Sequence, residues 1–376
     1  MAKNGFQVMD SDMHIIEPPD LWERYMEPEF KGRVTGLTRY KRDLGVALDG
    51  VNLSAPASMN TNYTSEGAQR VREEQNPKYI DGDENGWDGA SQLRAMDKEG
   101  IDVAVMYPSR ALFTLGYDGM DPRLAAAIGR AYNDWMYEFC QADPSRMFGA
   151  GHIAPHDVDA AVTETRRCVE EYGFKSVFMR PNIVNGVSWH DPYYDPLWEA
   201  CQRLGISVGF HEGGRPPNIP QVGDREFSTS MLHHTCSHSM GMMLAVVSFC
   251  GGGILERYPE LRVAFLEGNC SWAPWLMWRM DEHQEWLGYE HPDLSMKPSE
   301  YFKRQCFVSV ECDEWPSKYV DDAGMGHTVV FSTDYPHPDS KYPHAVDAFL
   351  ELDLDDGVKR KYLWDNCLRL YDLQAN

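Results

Sequence analysis

No Cys-x-x-Cys pair occurs among the nine cysteines, an odd number scattered from Cys140 to Cys367. Neither a disulfide framework nor a structural zinc ribbon is supported, and a reducing cytoplasm is the expected setting. Long apolar runs are missing too. The longest, Met240–Ile254, is broken by Gly251, Gly252 and Gly253; it falls short of the roughly 20 residues a membrane span needs and reads as a buried helix. The stretch MAKNGFQVMDSDMH lacks an apolar h-region, so no secretory leader is expected. Positive charge is scarce. Against 58 Asp and Glu there are 35 Lys and Arg, a net charge of -23, which argues against nucleic acid or an anionic membrane as partner. An anionic small-molecule substrate would need a local cation.

What is present is a repeated alternation of short apolar strands and helical patterns. Gln7–Ile15, Asp102–Tyr107, Met147–Ala154, Lys175–Arg180, Ser207–His211, Arg262–Glu267, Phe307–Glu311 and Thr328–Asp334 read as strands. Most are near-continuous apolar runs, the pattern of parallel strands covered on both faces. Helical spacing intervenes, as in Pro122–Gln141 and Asp157–Tyr172. The class is therefore α/β. No Gly-rich phosphate loop follows the first strand, which removes the dinucleotide-binding sheet. Polar residues instead close strand after strand: His14, Arg180, His211, Glu267, Glu311 and Asp334. In a (β/α)8 TIM-type barrel all such ends open on one face, where active sites lie. One domain over residues 1–376 is expected, with insertions near 31–87 and 212–238 over that face. Loops so long are uncommon unless functional.

The first strand ends Asp-Ser-Asp-Met-His, and alternation puts Asp12 and His14 on the same side. A buried carboxylate beside an imidazole needs a partner. A divalent metal ion or an ordinary Asp–His hydrogen bond would each serve. His211 closes the apolar SVGFH, and Asp334 closes TVVFSTD, where an unpaired carboxylate would be costly to bury. Four such groups on the first, a middle and the last strand favour the metal.

The segments DSDMHIIEPPDLWERY, AYNDWMYEFCQADPSRMFG, DPYYDPLWEACQRLGISVGFHEG, ILERYPELRVAFLEGNCSWAPWLMWRMDEH and FSTDYPHPDS resemble, over nearly the whole chain, the amidohydrolase-related family that includes aminocarboxymuconate semialdehyde and resorcylate decarboxylases and a lignin-derived C–C hydrolase. The resemblance places Asp12 and His14 at the family's first-strand pair, His211 at its middle-strand histidine and Asp334 at its last-strand aspartate. It also implies a homodimer. Two positions depart, and the first is the sixth strand: FLEGNCSW carries Glu267 where decarboxylases of the family usually carry a catalytic histidine. A carboxylate serves as general base or metal ligand but lacks imidazole's proton chemistry near neutral pH. That ranks hydrolysis slightly ahead of decarboxylation. Asp12 in place of a histidine makes the site oxygen-rich, shifting preference from zinc towards manganese or iron.

Further donors lie close by. His238 stands before the helix after the His211 loop, and Glu311 ends another strand. With Glu267 they are possible ligands of a second metal. His233 and His234 are expected on a polar surface loop. Glu267, His238 and Asp334 are the catalytic candidates, as proton shuttle or base. Arg180, His337 and Trp272 are the substrate-binding candidates, with Arg110 and Arg215 as further anion ligands, since Arg forms forked bonds to carboxylates. An internal salt bridge is equally open for Arg180. Trp272, Trp275 and Trp278 follow i, i+3, i+6 spacing and are expected to pack along one helix face. His283 is expected to be structural. Two mechanisms follow. One divalent ion (zinc, manganese or iron) would support hydrolysis or decarboxylation of a carboxylated, partly apolar molecule. Two irons would support a monooxygenase fed by an external reductase, as the family resemblance also allows, with a thioester as one candidate substrate.

Overall fold

The computed structural model describes residues 3–39, 42–53, 76–216, 218–291 and 293–374. Eight strands form one sheet in chain order: β1 (Met9–His14), β2 (Val103–Tyr107), β3 (Met147–His152), β4 (Ser176–Met179), β5 (Ser207–His211), β6 (Val263–Leu266), β7 (Cys306–Val310) and β8 (Val329–Phe331). Each hydrogen-bonds in parallel to the next. The sheet curls until β8 meets β1, giving the TIM-type barrel that the alternation of strands and helices requires. The seam is closed largely by side chains. Asp10 accepts hydrogen bonds from Thr333 Oγ1 and, at 3.3 Å, from Thr333 N–H. Ser332 Oγ donates to the Asp12 carbonyl at 3.3 Å, and His14 N–H donates to the Tyr335 carbonyl at 2.7 Å.

Alternation sorts each strand between two apolar clusters. Ala104, Met106, Val208, Phe210, Val263, Phe265, Val308 and Val310 face the helical shell. Val105, Tyr107, Ala150, Phe178, Ala264, Leu266 and Phe307 fill the barrel. The interior is tight: a Cβ on Gly209 would meet the Tyr107 hydroxyl at 2.6 Å. In β1 the register slips by one residue between Asp10 and Met13. Such a bulge re-aims side chains, so Met9 joins the inner apolar cluster while Asp12 and His14 also point inwards. Three of the helices begin with an aspartate whose side chain caps them. Asp88 accepts from Ser91 N–H ahead of α1 (Gly89–Glu99), whose C-cap Gly100 has φ 90°. Asp121 caps α2 (Pro122–Cys140) and Asp157 caps α3 (Val158–Glu170).

Within the expected insertion 31–87, three short antiparallel strands (Val34–Gly36, Val46–Leu48 and Val51–Asn52) form a second sheet; residues 54–75 of that insertion lie outside the described residues. The second stretch, 212–238, is a loop only as far as Thr229, where α4 (Ser230–Val246) begins. His233 and His234 thus stand on a helix, not on a surface loop, and His233 is buried against Asp224 at 3.1 Å. Met240–Ile254 is not a helix buried all round. Met240, Leu244 and Val247 are exposed while Ala245, Val246, Phe249 and Cys250 are covered, because spacings of four and three residues keep one face outward. The tryptophan expectation fails in the same way: on α5 (Ala273–Leu287) Trp275 and Trp278 are 53% and 57% exposed, and only Trp272, just ahead of it, packs on the core. Among the described residues no helix is long and apolar enough to cross a membrane.

Candidate metal centre

The ends of β1, β5, β6 and β8 converge on one point at the barrel mouth. His14 Nε2 and His211 Nε2 are 2.9 Å apart. Asp12 Oδ1 lies 3.7 Å from the first and 3.3 Å from the second. Asp334 Oδ1 is 3.4 Å from His14 Nε2, and Glu267 Oε2 is 3.0 Å from His211 Nε2. The orientation of both rings is set from behind. His14 Nδ1 bonds to the Pro108 carbonyl at 2.7 Å and His211 Nδ1 to the Glu212 carbonyl. A carbonyl only accepts, so each Nδ1 carries hydrogen and each Nε2 is turned towards the centre, the arrangement of metal-binding histidines.

Glu267 and Asp334 lie just beyond their strands with φ of 50° and 53°, a left-handed conformation costly for residues with a side chain. Held there, both carboxylates turn into the ring. Neither the strand pattern nor the motif reveals this, since nothing in residue type announces a positive φ at Glu or Asp.

Among the described residues the ring lacks hydrogen-bond partners: Asp12 Oδ1, Glu267 Oε2 and Asp334 Oδ1 are buried with no hydrogen bond, although buried polar atoms are nearly always satisfied. Its electrostatics show the same deficit. Burial, reinforced at Asp334 by Glu267, raises the pKa of Asp12 and Asp334. His14 is pulled well below its ordinary value by burial and by His337 and His211. Burial lowers His211 as well, but Asp12 and Glu267 outweigh it and bring it up to about 9. Protons are drawn in to offset crowded negative charge. Donors bound at about 2.0–2.2 Å to one ion stand roughly 3.0–3.5 Å from their neighbours, which is the range of most separations here. The residues present therefore fit a divalent metal, with Asp12, His14, His211 and Asp334 as core ligands and Glu267 beside them.

His337 lies closer in than sequence reasoning anticipated. Its ring stacks on His14 with centroids 4.0 Å apart, Nδ1 is 2.6 Å from Asp334 Oδ1, and Nε2 is 2.9 Å from Ser109 Oγ. Ser109 had no sequence signal; it sits in the loop after β2, far from any motif. His238, on α4, is buried and points Nε2 at Glu267 Oε1, 3.5 Å away. Glu311 joins none of the donor clusters found among the described residues; burial and the nearby Glu267 hold its carboxyl well above the ordinary range.

The arginines are committed elsewhere. Arg180 donates to Glu212 at 2.6 Å and to the Leu112 carbonyl at 3.2 Å, the internal salt bridge left open by its sequence. Gln221 supports the same Glu212 oxygen at 2.6 Å. Arg110 binds the carbonyls of Glu17, Leu37, Asp43 and Gly45, and Arg215 pairs with Asp224 at 2.9 Å. Trp272 is half-buried and held by the Gly268 carbonyl at 2.6 Å. His283 is half-buried and bonds the Arg279 carbonyl at 2.9 Å.

The amidohydrolase family profile matches residues 9–373. The 2-amino-3-carboxymuconate-6-semialdehyde decarboxylase of Dictyostelium discoideum is 28% identical over 304 residues, 78% of this chain and 79% of that one. The gamma-resorcylate decarboxylase of Polaromonas sp. is 24% identical over 298 residues, 75% of this chain and 86% of its own. Among solved structures, an amidohydrolase of Mycobacterium avium subsp. paratuberculosis superposes with a TM-score of 0.74 at 20% identity, covering 98% of this chain and 99% of its own. A 5-carboxyvanillate decarboxylase of Novosphingobium aromaticivorans, solved with manganese, gives 0.69 at 18% identity, with coverage of 99% and 97%. With a profile match spanning nearly its whole length and a donor ring that fits a divalent metal, the chain belongs to the amidohydrolase family as a metal-dependent enzyme.

Proposed function

We propose that this enzyme is a carboxy-lyase for a small aromatic or conjugated carboxylate. The observation that carries the reading is the ring of inward-turned imidazoles and unpartnered carboxylates at the mouth of a fold whose curated relatives, at 24–28% identity, are decarboxylases. A divalent ion held by Asp12, His14, His211 and Asp334 would act as a Lewis acid towards a substrate carboxylate and a neighbouring oxygen. Loss of carbon dioxide leaves a carbanion that must be protonated, and His337 is the side chain placed for this. Its Nδ1 lies 2.6 Å from Asp334 Oδ1 and its Nε2 2.9 Å from Ser109 Oγ, so the ring is held between the ligand set and the loop after β2, and the proton it gives to the carbanion would be restored from solvent. Stacking on His14 holds the ring at the ligand set. Arg180, locked to Glu212, shapes the wall by fixing the loop after β5, and Trp272 offers an aromatic edge near β6.

The test is to incubate manganese- or zinc-loaded protein with ortho-hydroxylated and conjugated carboxylates and follow carbon dioxide together with the decarboxylated product. A hydrolysed product, or substrate-dependent dioxygen uptake with iron bound, would overturn the assignment. The exposed apolar face formed by Leu244 and Val247 near the end of α4 and by Trp275 and Trp278 on α5 supports a homodimer; Val247 and Trp275 line one groove of about 420 Å³.

A further inference from the structure

We propose that His234, His238 and Glu267 form a second divalent-cation site, with the Glu267 carboxylate shared between it and the ring of Asp12, His14, His211 and Asp334. The proposal rests on the reading of that ring as a metal site only through the shared carboxylate.

His234 and His238 are four residues apart on α4 and therefore share one helix face. Their rings stack with centroids 3.9 Å apart. His238 Nδ1 is engaged by Ser237 Oγ at 2.9 Å, which aims Nε2 away from the helix. That atom is buried without a hydrogen-bond partner among the described residues, in a residue only 5% exposed. It faces Glu267 Oε1 at 3.5 Å, beyond the 2.7–3.2 Å of an N–H···O hydrogen bond. Two ligands held tetrahedrally at about 2.0–2.2 Å from one ion lie about 3.4 Å apart, so the gap fits an ion better than a proton. Donor atoms of all three residues lie within 4.8 Å of one another.

Glu267 is built to serve both sides. Its Oε2 is 3.0 Å from His211 Nε2 while Oε1 faces His238, and the φ of 50° at this residue presents the carboxylate between them. His234 is exposed beside Asp339 at an open pocket of about 350 Å³, which leaves a route for an ion from solvent. Two imidazoles and one carboxylate suit zinc, manganese or ferrous iron, and three protein ligands leave a position open for water or substrate. With an ion there, His238 and Glu267 are ligands and not a proton shuttle.

The experiment strips the whole protein with chelator, reloads it with manganese alone, and counts ions per chain by elemental analysis, with electron paramagnetic resonance on the same samples. Wild type should hold two ions with a spin-coupled spectrum. His234→Ala and His238→Asn should each hold one, with the coupling lost. His211→Asn should weaken the other site. Saturation of wild type at one uncoupled ion, or retention of two ions by the His234→Ala/His238→Asn double variant, would overturn the proposal. Two ions without any carboxy-lyase activity would leave the second site standing and remove the functional assignment; one ion with full activity would do the reverse.

Discussion

Around Arg110 and Glu17 burial is matched by partners, whereas around Asp12, His14, His211 and Asp334 it is not. Both groups are charged, buried and set in or beside the loops at the strand ends. Glu17 accepts from the backbone N–H of Ser109, Arg110 and Ala111 at 3.3, 2.7 and 2.9 Å, and Arg110 donates to the Glu17 carbonyl and to three carbonyls in the segment that carries the small antiparallel sheet. In the ring, three carboxylate oxygens have no hydrogen-bond donor among the described residues. Buried charge by itself marks neither stability nor function; an unmet valence separates the two. The groups also touch, because the loop that Glu17 holds brings Ser109 to His337.

The comparison is broken most severely by replacing a ring histidine. His211→Ala should abolish metal retention and lower turnover by at least about 10³-fold, since the Lewis-acid contribution is several kcal/mol, with the thermal transition of the metal-free protein little changed. Elemental analysis and calorimetry check this together. Arg110→Ala should do the opposite. Loss of a fully paired buried cation costs about 3–5 kcal/mol, read as a lower urea midpoint, while each folded molecule still binds metal. If Arg110→Ala is neutral to stability, the distinction between the groups falls.

Smaller changes sharpen the boundary. Ser109→Ala removes the partner of His337 Nε2 and should cost about 10–100-fold in activity, as removal of an outer partner of a metal site does. KM should hold, and the alkaline or acid limb of the rate profile should shift; an unchanged profile would assign Ser109 to packing alone. Metal affinity should fall with pH. His211 is held up to about 9 by Asp12 and Glu267 against the opposing effect of burial, and an ion needs the lone pair that this proton occupies. Apparent affinity measured by titration should therefore drop roughly tenfold per pH unit below about 9 and level off above it. The smallest expected effect on chemistry is that of Trp278→Asp on the exposed face of α5, which should leave the metal content intact; the proposed homodimer requires that it also give monomer in light scattering.

Much of this was legible in the chain. Strand-period apolar runs ending in polar residues announced the barrel and its working face, and Asp12, His14, His211 and Asp334 could be named because a strand fixes which neighbours share a side. Strand ends were read one to three residues long at Arg180, Glu267, Glu311 and Asp334, where the chain has already turned out of the sheet. What the chain did not show were contacts between distant segments. Ser109 meets His337 across 228 positions, and the partners of Arg110 lie 65 to 93 positions away. The four-residue spacing of His234 and His238 was visible; that it faces Glu267 was not. The exposure of Trp275 and Trp278 was hidden for the same reason, since spacing says which residues share a helix face but not what lies opposite.

The sequence by itself determined the fold class and the kinds of ligand brought to the barrel mouth, because periodicity and residue chemistry are local. Only the tertiary structure decided which donors are left without partners, since satisfaction of a buried group depends on every segment that packs against it. The ring at the mouth is defined by that difference: its residues come from the chain, and its fit to a cation comes from the way the ends of β1, β5, β6 and β8 converge.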